Sequence, residues 1–203
     1  MAIQIYHFWG TRSVRPIWVC EELALSYEVI SVDFSAEYRA TPEYRALNPV
    51  GKVPVLRDGD MTMFESGAMV QYLLDAYGQG SLQPPRSDPE YPFYLQWSWF
   101  AESTFARPLG EIANHRRALS EADQSEVAIN EMKDRAWLCV EALDQALSGK
   151  DYLLSEFSAA DIMMGYSLFL TERFIDRALP VNVASYWARL RARPACQTAI
   201  TLR

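Results

Sequence analysis

The chain has 203 residues, 50% of them hydrophobic and 22% charged, the composition of an ordinary globular protein rather than a disordered or fibrous one. Its 19 Lys and Arg against 26 Asp and Glu give a formal charge of −7, which disfavours nucleic acid as a general partner. No apolar run reaches the roughly 18 residues of a membrane span, and the stretch from Met1 to His7 has no basic start or long apolar core, so neither a membrane segment nor a signal peptide is expected.

Ile3, Ile5 and His7 alternate with other residues as a short strand does. A helix follows, with Ser13 as N-cap, Pro16 in the first turn and an apolar stripe of Ile17, Cys20, Leu23 and Ala24. Tyr27 to Val32 alternates again as a second strand. Residues Ser35 to Asn48 show no clear period and read as an irregular loop with one helical turn after Thr41-Pro42. Two apolar runs, Lys52 to Leu56 and Met61 to Phe64, flank Asp58-Gly59-Asp60 as the strands of a hairpin. Glu65-Ser66-Gly67 then opens a helix ending near Gly78. The order β-α-β-(α)-β-β-α predicts a mixed sheet with helices on its faces.

A linker rich in Gly, Pro and Ser runs from Gly78 to Pro92, and no strand is evident after it. Helical spacing recurs from Tyr91 to Arg117 and from Glu121 to Leu147. Ser158 and Asp161 have the spacing of a capping box, with Phe157 as hydrophobic staple, for a helix running to about Arg173. A last helix fits Val183 to Arg193, stopped by Pro194. The expectation is an α/β domain over residues 1–80 and an all-helical domain over 88–203. Cys20, Cys139 and Cys196, with only His7 and His115 beside them, have no metal-ligand or disulfide spacing, so a reduced, cytoplasmic protein without a metal site is expected.

Three places carry chemistry. Pro54 lies inside a strand-like run, where proline removes a ladder hydrogen bond. Spacing favours an edge strand with trans proline, and the other reading is a cis Val53–Pro54 bond that turns the Val53 backbone outward to meet an extended peptide. Glu65 and Ser66 at a helix start are either a cap with a dipole-favoured acid, or a receptor whose N–H groups and hydroxyl hold a carboxylate while Glu65 meets an ammonium. Gly10-Thr11-Arg12-Ser13 is either a cap or a set of hydroxyls and a cation favouring a thiolate at a helix N-terminus.

In this order and spacing, Thr11-Arg12-Ser13 with Trp18 and Glu21-Glu22-Leu23, Asn48-Pro49-Val50-Gly51-Lys52-Val53-Pro54-Val55-Leu56, Phe64-Glu65-Ser66 and Phe157-Ser158-Ala159-Ala160-Asp161-Ile162 resemble the glutathione S-transferase superfamily, in its bacterial, serine/threonine-type form. The resemblance spans nearly the whole chain. It implies a thioredoxin-like N-terminal domain, an all-helical C-terminal domain, a cis bond at Pro54, a homodimer, and glutathione as cosubstrate. It further implies that Val53 pairs with the cysteinyl part of glutathione, that Glu65 and Ser66 hold the γ-glutamyl end, and that Lys52 and Arg39 face the glycyl carboxylate.

The resemblance implies a detoxifying transferase in which Thr11 or Ser13 stabilises the glutathione thiolate, with Arg12 as electrostatic support, for attack on a small apolar or aromatic electrophile. Tyr6 aligns with the catalytic tyrosine of other classes and ranks below Thr11. Arg12 stands where cysteine-type members carry their cysteine. Trp97, Trp99, Phe100, Phe105, Arg107 and Tyr166 are candidate lining of an electrophile pocket. Two other functions fit the same residues: glutathione-dependent reduction of disulfides or peroxides, and non-catalytic binding on the same fold.

Overall fold

The computed structural model describes residues 2–203, which divide into two compact units, 2–82 with Arg193–Arg203, and Gln83–Ala192. Met1 lies outside the described residues. The last eleven residues, expected with the helical domain, instead cluster with the N-terminal unit.

In the first unit a four-stranded sheet has the order β2-β1-β3-β4. Strand β1 (Ile3–His7) pairs in parallel with β2 (Tyr27–Ser31) and antiparallel with β3 (Val55–Asp58), which turns at Gly59 into β4 (Met61–Met63). Ile3, Ile5 and His7 all turn to the buried face of β1, as their period-two spacing predicts. Helix α1 (Val14–Glu22) follows β1, and α4 (Ser66–Tyr77) follows β4. Every side chain from Val14 to Cys20 is buried, including Arg15.

The segment expected as an irregular loop with one helical turn after Thr41-Pro42 forms two short helices, α2 (Ala36–Arg39), which was not expected, and α3 (Pro42–Leu47), which is that turn extended. Ser35 and Thr41 cap them, accepting the N–H groups of Tyr38 and Tyr44. Neither is long enough to display an apolar period, so the capping residues were their only sequence signal.

The second unit is all helix: α5 (Tyr91–Trp99), α6 (Ala106–Ala118), α7 (Glu126–Ala146), α8 (Ala159–Phe174) and α9 (Val181–Arg191). The single helix expected from Tyr91 is interrupted by a π-helical stretch over Phe100–Phe105. Helix α7 begins five residues later than expected, at the Ser125 cap, after a short 3-10 turn at Glu121–Asp123. The capping box at Ser158 and Asp161 is present, and α8 is almost wholly buried over its first thirteen residues.

Pro194 does not simply end α9. It occupies the first turn of α10 (Pro194–Thr201), where proline is favoured. Helix α10 packs on α1 in the first unit, and its start is fixed by a two-pronged ion pair from Arg193 to Glu22, at 2.6 and 2.7 Å. Among the described residues no helix is long and apolar enough to cross a membrane.

Candidate functional site

The β1–α1 junction gathers four polar groups. The Thr11 Oγ1 lies 2.7 Å from the Phe8 carbonyl oxygen, to which it can donate, and 2.8 Å from Ser13 Oγ. Ser13 Oγ in turn lies 2.8 Å from His7 Nδ1. Ser13 is 0% exposed and His7 1%, whereas Thr11 is half-buried at the mouth of the junction. Ser13 stands at the N-cap position of α1 but caps nothing with its side chain, because its backbone is already helical. Burial lowers the His7 pKa, partly offset by the Leu202 carbonyl at 3.2 Å from its Nε2.

In the first turn of α1, the buried Arg15 donates from Nη1 to Ser66 Oγ at 3.1 Å. This contact joins the start of α1 to the start of α4. Arg15 was missed as a site residue because an arginine inside a helix carries no mark of its orientation. The fully apolar run on its C-terminal side, Pro16 to Cys20, was the only hint that this face of the helix is inside.

Ser66 is buried at the first helical position of α4, and Glu65, not Ser66, holds the N-cap position. Glu65 is exposed with φ 76° and ψ 104°. That left-handed backbone costs a non-glycine residue on the order of 1–3 kcal/mol, and strain of this kind concentrates where a ligand is held. Helix geometry leaves the first-turn N–H groups of α4 without intrahelical acceptors.

The third part is the approach to Pro54, and the Val53–Pro54 peptide is cis. The Lys52 carbonyl oxygen accepts from Asn48 Nδ2 at 2.8 Å and from Tyr44 Oη at 3.0 Å, both from buried side chains. Burial pushes the Tyr44 hydroxyl up to about 12, keeping it protonated and donating. Gly51 has φ +60°, and a Cβ there would sit 2.5 Å from the Arg39 carbonyl oxygen, so the turn admits only glycine. With the Gly51 and Lys52 carbonyls engaged, Val53 is different. Among the described residues neither its N–H nor its C=O bonds another protein group, although its side chain is buried.

The remaining expected residues separate. Arg39 is half-buried and committed to the loop: its Nε donates to the Phe34 and Ser35 carbonyls, its Nη1 to that of Gly51, and its guanidinium lies 4.4 Å over the Phe34 ring. Lys52 is exposed, and Arg12 is half-buried beside Thr11. Tyr6 packs against the cluster of Val32, Tyr44 and Val53. Among the six aromatic and basic pocket candidates, Phe105 and Tyr166 are core residues of the helical unit, while Arg107 is exposed and paired with Glu111 at 3.1 Å. Trp99 is 66% exposed.

The family model for the glutathione S-transferase N-terminal domain matches residues 1–75, which hold every group of this junction except the Leu202 carbonyl. Glutathione S-transferase 3 of Schizosaccharomyces pombe is 29% identical to the chain, covering 97% of it and 86% of that relative. A crystallised glutathione transferase from Pseudomonas putida, with glutathione disulfide bound, is 26% identical with a TM-score of 0.81, covering 99% of this chain and 91% of that one. The theta class glutathione S-transferase of Xanthomonas axonopodis pv. citri, crystallised with glutathione bound, is 30% identical with a TM-score of 0.84, covering 100% of this chain and 98% of that one. Sequence likeness along the full length thus accompanies a shared thioredoxin-like and helical architecture, and the chain belongs to the glutathione S-transferase superfamily.

Proposed function

We propose that the protein is a glutathione transferase that conjugates the glutathione thiolate to small electrophiles. The observation that carries this reading is the Arg15–Ser66 contact, which ties a hydroxyl-bearing helix start to a carboxylate-receiving one. A ligand with a thiol and an amino-acid head group on one short chain fits both ends.

In this reading Ser66 and the free N–H groups of α4 receive the γ-glutamyl carboxylate, with the buried Arg15 adding positive potential behind Ser66. Glu65 meets the ammonium. The unbonded Val53 backbone pairs with the cysteinyl residue as a short added strand. Lys52 supplies the cation for the glycyl carboxylate, and Arg39 holds the loop that carries it. The junction at Thr11 receives the sulfur, with Arg12 near it.

A free thiol with a pKa near 8.5 is only about 3% ionised at pH 7. Lowering that pKa by roughly two units takes about 2.7 kcal/mol of preferential thiolate stabilisation. One hydrogen bond to a charged acceptor supplies about 1.5–3 kcal/mol, so the Thr11 hydroxyl with the α1 N-terminus is sufficient. Thr11 takes no proton in this scheme. The thiol loses its proton to solvent, the sulfur forms a bond to the electrophilic carbon, and the leaving group departs with the electron pair of its own bond.

Thr11→Ala tests the assignment. The expected result is a rise in the pKa of bound glutathione, followed as thiolate absorbance against pH, with loss of turnover on a chloronitrobenzene. No change with Thr11→Ala but a large one with Tyr6→Phe would overturn it. Brisk turnover of a mixed disulfide without turnover of the chloronitrobenzene would replace conjugation by reduction. No retention on immobilised glutathione would leave a binding protein of another kind.

A further inference from the structure

Three contacts at the β1–α1 junction converge on one oxygen. The Phe8 carbonyl has the Thr11 N–H at 3.2 Å, the Thr11 hydroxyl at 2.7 Å and the Ser13 hydroxyl at 3.4 Å. Whichever way the hydroxyl protons point, the place of Thr11 follows that carbonyl, which lies in the planar Phe8–Trp9 peptide unit. On one side of the unit the sheet fixes the chain: His7 is the last residue of β1, in register with Ser31, and its carbonyl takes the Val32 N–H at 2.9 Å. On the other side comes Gly10, with φ 75°, whose permissive backbone imposes little on its neighbours. Trp9 stands between them, outside the sheet. Its side chain is anchored to α10. The last carbonyls of a helix have no intrahelical donors, and that of Ile200, in the final turn of α10, accepts from Trp9 Nε1 at 3.1 Å. The Arg203 guanidinium lies 5.0 Å over the indole ring.

We propose that Trp9 is a positioning residue for the thiol-binding junction, held by the Ile200 carbonyl and acting on Thr11 through the Phe8 carbonyl. The proposal rests on the transferase reading and deepens it, because it makes the last turn of α10 part of the support of the sulfur site, from 191 residues away in sequence. Helix α10 is itself secured at its other end, where Arg193 pairs with Glu22 in the last turn of α1. It packs along α1 in antiparallel sense and braces it, from the end of that helix back to the loop that precedes it. The parts of glutathione depend on this brace unequally. In the transferase reading its amino-acid head group is received at α4 and its cysteinyl backbone at Val53, on elements other than the Trp9 loop. The sulfur is the part that meets Thr11, so loss of the Trp9 anchor acts on the thiol and spares the affinity.

Trp9→Phe in the full chain keeps a ring at this position and removes the N–H. The Thr11 amide, protected by the Phe8 carbonyl, is expected to exchange its hydrogen about tenfold faster. The pKa of bound glutathione, followed as thiolate absorbance against pH, is expected to rise by about half a unit, a roughly threefold smaller thiolate fraction at fixed pH. The glutathione Kd is expected to change less than about twofold. Tyr27→Phe controls for lost stability alone, since it removes the 2.5 Å bond from Tyr27 Oη to Glu21 at the far end of α1. Its urea midpoint is expected to fall with the thiol pKa unmoved. A Trp9→Phe protein with the wild-type thiol pKa overturns the proposal, as does a Tyr27→Phe protein whose thiol pKa rises as much. If Thr11→Ala raises the thiol pKa while Trp9→Phe leaves it unchanged, Trp9 loses this role and the transferase reading stands. If wild type binds glutathione without lowering its thiol pKa, both fall together.

Discussion

At the start of α8, Ser158 and Asp161 close on each other. The Asp161 carboxylate takes the Ser158 N–H at 2.8 Å and its hydroxyl at 3.2 Å, then the Leu153 N–H at 3.0 Å and the Tyr186 hydroxyl at 2.8 Å. Burial pushes the Asp161 carboxyl up while these four donors pull it down. At the starts of α1 and α4 the serines serve other elements. Ser13 turns to His7, and Ser66 receives Arg15. A serine closed on its own helix stabilises that helix and has no further reach. With the buried Arg15 behind Ser66, the first-turn N–H groups of α4 stay open to an incoming anion, whereas at α1 the N–H groups of Val14 and Arg15 are taken by the Thr11 and Arg12 carbonyls.

Substitutions separate the two kinds of helix start, and Asp161→Ala has the largest expected effect. It strands four buried donors and is expected to lower stability by about 4 kcal/mol, measured by urea unfolding. A loss under about 1 kcal/mol would mean that the α8 start is not the closed unit described. Ser66→Ala is expected to raise the glutathione Kd about tenfold by calorimetry, the equivalent of one hydrogen bond to a carboxylate. An unchanged Kd would place Ser66 with Ser158 as a structural serine. Glu65→Gly relieves the positive φ and is expected to raise stability by about 1 kcal/mol while weakening glutathione binding. A destabilised variant would remove the case that strain is held there for a ligand.

The smallest effect concerns the thiols. Burial pushes Cys20, inside α1, up to about 12 and Cys139, in α7, up to about 11, from a usual 9.0. An unfolded thiol ionises first as pH rises, so the native state keeps its full advantage below about pH 9 and loses it progressively toward pH 11–12. Urea midpoints are expected to fall over that window, and alkylation of native Cys20 to be undetectable at pH 8. Rapid alkylation of Cys20 would mean that α1 opens beyond its first turn.

Much of the fold was legible because it depends on repeating local signals. Ile3, Ile5 and His7 gave β1 through alternation, Asp58-Gly59-Asp60 gave the hairpin, and Ser158 with Asp161 gave the α8 start. Helix α2 was missed, and α3 was legible only as the one turn after Thr41-Pro42, because four and six residues are too few to show a period. The residue types of the site were legible as well, since Thr11, Ser13, Lys52, Val53, Glu65 and Ser66 stand in recognisable strings. Their roles were not. Thr11 and Ser13 are alike on paper, and Arg39 reads as an ordinary surface cation until its three carbonyl partners are seen.

By itself the sequence determined the kind of protein this is: a thioredoxin-like sheet followed by helices, with a junction of hydroxyls and a paired Glu-Ser at the two helix starts. Local propensity and spacing suffice for that, because each signal acts within a few residues. Only the tertiary structure decided that His7 stands behind Ser13, that Arg15 stands behind Ser66, and that the C-terminal helix returns to the first domain. Each of those depends on a polar atom losing water and finding a partner far along the chain, as His7 does with Leu202 and Arg15 with Ser66. Desolvation makes such pairings obligatory, and which partner lies within reach is set by packing rather than by neighbours in sequence.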